Sequence, residues 1–252
     1  MFSILEFAKD KIRTIITEHE LLGEVVSVHA NPLTPEEAIG QPDRRDFPII
    51  EGKERVIESV IFNSKGHAFT DSPVSFHGTV ENVLALSLET NQERAIFFAT
   101  VNAIMQYLNL IEGTVHCRDN DPEGCGAELA SHIMDKWGIV RVGLIGYNPA
   151  IAENLIKTFG PDHVLISDLN EENINTRKFG VYVENGNKMN NKLILDTDVI
   201  CISGTTIVND SFDDIWECIR RHRKAYFIYG VTAAGVCAQL GLNRFCPYGK
   251  NG

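Results

Sequence analysis

Ile139-Val-Arg-Val-Gly-Leu-Ile-Gly-Tyr-Asn-Pro149 is the stretch that decides the fold. A short apolar run reaches Ile145, Gly146 breaks it, and Asn148-Pro149 opens a helical pattern that stops at Gly160. The order is strand, tight turn, helix. Gly146 suits a sharp turn, Asn148 is a favoured N-cap, and Pro149 fits the first helical position because it has no N–H to leave unpaired. The next apolar run, Val164 to Ser167, ends in Asp168. In a doubly wound α/β fold, a turn of this kind directs free N–H groups and a helix dipole at a polar or anionic ligand. An acid at the next strand end can then hold a ribose or similar hydroxyl. Only Gly143 and Gly146 of a G-x-G-x-x-G fingerprint are present, so the turn signals a Rossmann-like unit more strongly than it signals a dinucleotide.

Outward from this unit, strands and helices alternate. The pattern predicts strand 139–145, helix 149–159, strand 163–167, a mixed stretch, strand 198–203, helix 211–222, strand 225–230 and helix 234–240, preceded by a helix over 126–137. Alternation of this kind builds a mainly parallel sheet covered by helices. The N-terminal half reads differently. It opens with an amphipathic helix over 4–18, then a strand over 24–30. Thr34-Pro35-Glu36-Glu37 forms a capping box that starts a short helix ending near Gly40. Residues 41–53 read as loop, 55–62 as a strand, Asn63 to Gly66 as a hairpin turn and 67–70 as the return strand. A second capping box, Thr90 to Glu93, starts a long helix to about residue 109. The polar segment 113–124 reads as a connection. The expected fold class is therefore α/β, with an α+β domain over 1–114 and a Rossmann-like domain over 115–252.

Composition narrows the function. The net charge is −11 and hydrophobic residues make up 44%, as in an ordinary globular protein. An acidic chain lacks the driving force for phosphate-backbone contacts, so nucleic acid is not an expected partner. The N-terminus has acids within its apolar part and no basic leader, and no apolar run approaches a membrane span. A cytoplasmic protein is expected. Six scattered cysteines suit reduced thiols rather than a disulfide framework. An exposed apolar face on helix 4–18 would make a homodimer reasonable.

Ligands of open α/β sheets sit beyond the carboxyl ends of the strands. Four loops should gather there: Gly146-Tyr147-Asn148, the one starting at Asp168, Ser203-Gly204-Thr205-Thr206, and Gly230 to Gly235. Glycine flanked by hydroxyl residues can offer both N–H and O–H groups to a ligand. In the N-terminal half, His67 and Asp71 are the candidate catalytic acid–base pair. Asn102, inside the long helix, sits where Asn costs helix propensity and so needs a partner, either a ligand or a neighbouring loop. His116, Cys117 and Cys125 invite a soft-metal reading, although their spacing matches no zinc motif.

The segments Gly138 to Pro149, Asp198 to Asn209 and Tyr229 to Ala234 resemble the prokaryotic family labelled "putative heavy-metal chelation", and Ala99-Thr-Val-Asn-Ala103 resembles the N-terminal domain that accompanies it. The resemblance implies an enolase-N-terminal-like domain followed by a Rossmann-like domain, with a ligand site in the cleft between them. It would place Asn102 beside Gly146, Asn148, Asp168, Gly204, Thr205 and Thr206. Where that family has a Gly-Pro-Ser/Thr type of turn, this chain has Gly-Val-Thr-Ala-Ala. Two function classes follow. One is a protein that binds a transition metal, or a metal chelate, as its small-molecule ligand. The other is an enzyme that uses S-adenosylmethionine or a nicotinamide at the Gly146/Asp168 turn.

Overall fold

A computed structural model of the chain describes residues 3–28 and 33–252. The C-terminal half is built as the alternation requires. Helix α6 (Asp121–Trp137) leads into β5 (Val142–Ile145), α7 (Pro149–Phe159) and β6 (Val164–Asp168). There follow β7 (Arg177–Lys178), β8 (Val181–Asn185), α8 (Gly186–Asp196), β9 (Val199–Ser203), α9 (Phe212–His222), β10 (Ala225–Tyr229), α10 (Ala234–Leu240) and β11 (Arg244–Phe245). The strands form one sheet in the order β11-β10-β9-β5-β6-β8-β7, parallel except for β7. The chain leaves β5 toward β6 on one side and returns to β9 on the other. β5 is therefore where the strand order reverses, and such a point opens a crevice at the carboxyl ends.

The N-terminal half comprises α1 (Ile4–Glu18), β1 (Val25–Val28), α2 (Pro35–Ile39), α3 (Pro48–Glu51), β2 (Arg55–Ile61), β3 (Ser64–Thr70), β4 (Phe76–Thr79), α4 (Val80–Leu84) and α5 (Asn91–Tyr107). Its strands form an antiparallel sheet in the order β3-β2-β1-β4. α5 is buried from Arg94 to Met105 and packs on β2 and β3 as well as on α10. The capping boxes at Thr34 and Thr90 are both formed. One hydrophobic cluster joins α1, α5 and the face of the large sheet that carries Ile200, Ile202 and Ile228. A second fills the other face beneath α6 and α7.

Several expectations are corrected. The β2–β3 hairpin turns on Phe62 and Asn63, because Ile61 pairs with Ser64. Phe62 takes the positive φ of +51° that such a tight turn demands. Gly66 lies inside β3 instead, directly under α5. α6 starts at Asp121 rather than 126, with Pro122 in its first turn. The loop over 41–53 contains α3, and the mixed stretch resolves into β7, β8 and α8. The strand expected over 24–30 is seen as Val25–Val28; residues 29 and 30 lie outside the described residues. The apolar face of α1 (Ile4, Ala8, Ile12, Ile16) is buried in this chain's own core, which removes the reason for expecting a dimer through it.

The polar connection is not a free hinge. Thr114 accepts from the His67 N–H, Val115 and Lys250 exchange backbone hydrogen bonds, and the Asp119 N–H donates to Ile39. Gln106 holds the Gly252 carbonyl, so the C-terminus returns to the N-terminal half.

Candidate functional site

Four strand-end loops of the large sheet meet the β3 edge of the small one around a single two-lobed cleft. Gly146 has φ +86°, and a Cβ there would stand 2.7 Å from the Ser203 Cβ, so glycine is what lets the β5 and β9 loops touch. The Tyr229 hydroxyl donates to the Gly146 carbonyl at 2.6 Å. Asn148 caps α7 by accepting from the Ile151 N–H. Ser203 Oγ pairs with Thr205 Oγ1 at 2.8 Å, while Thr206 is buried and donates to the Ser203 carbonyl at 2.7 Å. The inner lobe is a narrow apolar recess. Its walls include Phe47, Ile49, Phe69, Tyr147 and Tyr229, with Glu54, His116, Asn148, Gly204 and Thr205 as polar points. The outer lobe is wider and acidic: Glu54, Asp71, Asp168, Glu171 and Glu172 line it, against Lys53. The wall segment carrying Phe47 is pinned by Arg44, whose guanidinium pairs with Glu123 of α6, Glu153 of α7 and Asp46.

The predicted residues fall into two groups. Gly146, Asn148, Asp168, Gly204 and Thr205 all line the cleft or a small recess that opens beside it, and Thr206 lines that recess. Asn102 does not. It is 1% exposed, and its Nδ2 donates to the carbonyls of His67, Val231 and Thr232 while its Oδ1 accepts from the Gly235 N–H. Its partners are neighbouring loops. Asp168 also spends much of its capacity on the fold: Oδ2 accepts from the Tyr147 N–H at 2.9 Å and from Asn173 at 3.1 Å, and Oδ1 accepts from the Asn170 N–H at 2.8 Å.

The acid–base pair of His67 and Asp71 is not formed. His67 is 2% exposed, its Nε2 lies 3.0 Å from Glu58, and its Nδ1 accepts from the His116 N–H. Asp71 instead accepts from Ser72 and Asn91. Alternation along β3 explains this, because residue 67 pairs across the hairpin with Glu58.

The metal candidates are close together without forming a ligand set. His116 Nδ1 donates to the Cys117 carbonyl at 2.5 Å, and Cys117 Sγ stands 3.9 and 4.0 Å from the two ring nitrogens. Burial lowers the His116 pKa to about 4, so the ring is neutral and Nε2 keeps its lone pair. Burial pushes the thiol of Cys117 up and that of Cys125 up to about 12, with the Cys246 thiol adding to both. Such thiols are poor sources of thiolate. Among the described residues, no group of three or more His, Cys, Asp or Glu is arranged to hold a metal ion.

Glu54 escapes a sequence reading. Lys53-Glu54-Arg55 resembles a solvated charge run, and nothing in the pattern marks the middle residue as turned into a cleft. Burial first, then the charges of Asp168 and Asp71, raise its pKa from an ordinary 4.5 to about 7. The unfolded chain ionises this group near its ordinary value, so the stability it contributes is intact below about pH 4.5 and is lost as pH rises through 7. Glu54→Gln should therefore raise the stability of the unliganded protein at pH 8 by about 1–3 kcal/mol relative to wild type. The gain should vanish near pH 4. Urea melts at the two pH values decide it, and equal effects at both would remove the reading of Glu54 as a half-buried carboxyl with a raised pKa.

Residues 129–240 match the DUF364 family, described as "Putative heavy-metal chelation". Among solved structures, the chain is similar to a DUF364-family protein of unknown function from Desulfitobacterium hafniense DCB-2, with 12% identity and a TM-score of 0.51 over 95% of this chain and 83% of that one. It is also similar to a DUF364-family protein of unknown function from Pyrococcus horikoshii, with 16% identity and a TM-score of 0.49 over 90% of this chain and 80% of that one. No curated protein matches the chain. Likeness at these identities speaks to the fold alone. No helix among the described residues is long and apolar enough to cross a membrane.

Proposed function

We propose, from the premise that residues 129–240 are a member of the DUF364 family, that the chain binds a small organic ligand carrying a metal ion in the cleft between its two sheets. The observation that carries this reading is the cleft's make-up: an apolar-walled lobe with few polar points, and no three-donor metal set among the described residues. A bare ion needs most of its coordination from protein side chains. A chelated ion brings its own donors and asks the protein for a shaped apolar wall, hydrogen bonds and at most one further ligand. His116 fits that last part, since a neutral imidazole with one nitrogen fixed to a backbone carbonyl is the usual form of a metal-binding histidine. A nucleoside-cofactor enzyme has less support, because the acid meant for a ribose hydroxyl already accepts three hydrogen bonds.

Native mass spectrometry of protein purified without chelators, paired with elemental analysis of the same fraction, tests this. The expected result is an excess of several hundred daltons that carries metal and is lost on denaturation. An excess equal to one bare ion, or an organic ligand free of metal, would overturn it.

A further inference from the structure

The proposed reading leaves open what charge the ligand presents to the inner end of the cleft, and the side chains there select one. Glu54 lines both lobes, and among the described residues no hydrogen bond or ion pair engages its carboxyl. The charges that act on it most strongly, Asp168 and Asp71, are both negative. Asp168 is already engaged by three donors and Asp71 by two, so neither can neutralise a ligand as readily as Glu54 can. A second observation is independent of the acids. Phe69, Tyr147 and Tyr229 line the inner lobe together with Glu54, so that a carboxyl stands among aromatic rings.

We infer that the cleft takes a ligand bearing a protonated amine, with Glu54 as its counter-ion. An ammonium group has three donors and no acceptor. It therefore matches a site in which the Glu54 carboxylate is unengaged. The rings of Phe69, Tyr147 and Tyr229 are suited to the apolar body of such a ligand, and aromatic faces attract a cation. A carboxylate-bearing ligand would meet Glu54, Asp71 and Asp168 as like charges, with Lys53 the one lining cation among the described residues to offset them.

This inference rests on the reading of the cleft as a ligand site, and the test separates the two. Benzylamine, benzyl alcohol and benzoate share a ring and differ in charge, so their affinities for the full chain at pH 7.5, measured by ligand-observed NMR, isolate the charge preference. Benzylamine should bind roughly tenfold or more tightly than benzyl alcohol, and benzoate least. Glu54→Gln should bring benzylamine down to the level of benzyl alcohol. Its folding can be checked independently by the urea melts described above. Equal binding of all three probes, a preference for benzoate, or unchanged benzylamine affinity in Glu54→Gln would overturn the charge assignment while leaving the cleft a ligand site. If benzylamine does not bind at all, the assignment also falls, and the mass excess of the purified protein judges the cleft separately.

Discussion

Gly66→Ala should destabilise the protein by about 3 kcal/mol or more, among the largest effects of any single methyl group in the chain. A Cβ at position 66 would stand 2.2 Å from the Ala99 carbonyl oxygen, 2.4 Å from the Ala103 nitrogen and 2.8 Å from the Asn102 Cβ. Two of these atoms belong to helix backbone, so no rotamer change relieves the contact. Either α5 or β3 must move, and both are fixed. α5 carries Phe97, Phe98 and Ile104 into the main hydrophobic cluster, and β3 is paired along its length with β2. With a total stability of about 5–15 kcal/mol, a loss of this size consumes a large share. Gly23→Ala is the control: a Cβ there meets nothing within 4 Å, and its φ lies outside the left-handed region. It should be neutral or stabilising by a few tenths of a kcal/mol. Urea denaturation of the three proteins measures both. A Gly66→Ala loss below about 1 kcal/mol would show that α5 and β3 can part at little cost, against the fixed packing argued above.

That position also shows how far the sequence is legible. Periodicity alone locates α1, α5, α7, α9 and α10 and most of the strands, because amphipathic helices and apolar runs are local patterns. Caps are local as well, and Thr34, Thr90 and Asn148 read as what they are. Gly66 reads as a turn residue because glycine in a polar stretch usually is one. Its real role, admitting a helix, depends on a residue more than thirty positions away. The same reason governs the site. Gly146 and Thr205 are visible because strand-end loops gather in any doubly wound sheet, given only the strand order. Glu54 is invisible, because its character comes from what the N-terminal sheet encloses and not from its neighbours in sequence. His67 illustrates the opposite error: a polar neighbourhood suggests exposure, while the cross-strand partner Glu58 lets it be buried.

Asn102→Ala should cost about 3 kcal/mol, roughly 10 °C in Tm for a chain of this size, and should also loosen the cleft. The side chain is a joint between three elements. Its amide nitrogen bonds the His67 carbonyl of β3 and the Val231 and Thr232 carbonyls after β10, and its oxygen takes the Gly235 N–H at the start of α10. Truncation removes all of these at once and strands a buried N–H, which costs more than the net worth of an ordinary hydrogen bond. The same loops hold cleft walls: Thr232 lines the inner lobe, and its hydroxyl accepts from the N–H of Phe69, another wall residue. Asn102→Asp separates shape from hydrogen bonding. It keeps the acceptor for Gly235 but turns a second oxygen toward three carbonyls, which disfavours the ionised form. Its folded-state pKa is then raised, so the variant should lose stability as pH rises from 5 to 8, a trend opposite to that of an exposed aspartate with a cationic partner. A side chain that instead served a ligand would behave differently: Asn102→Ala would leave the unliganded Tm nearly unchanged and weaken only the retained ligand. Thermal melts of ligand-stripped protein, read beside the native mass excess of the same variant, distinguish the joint from the ligand contact.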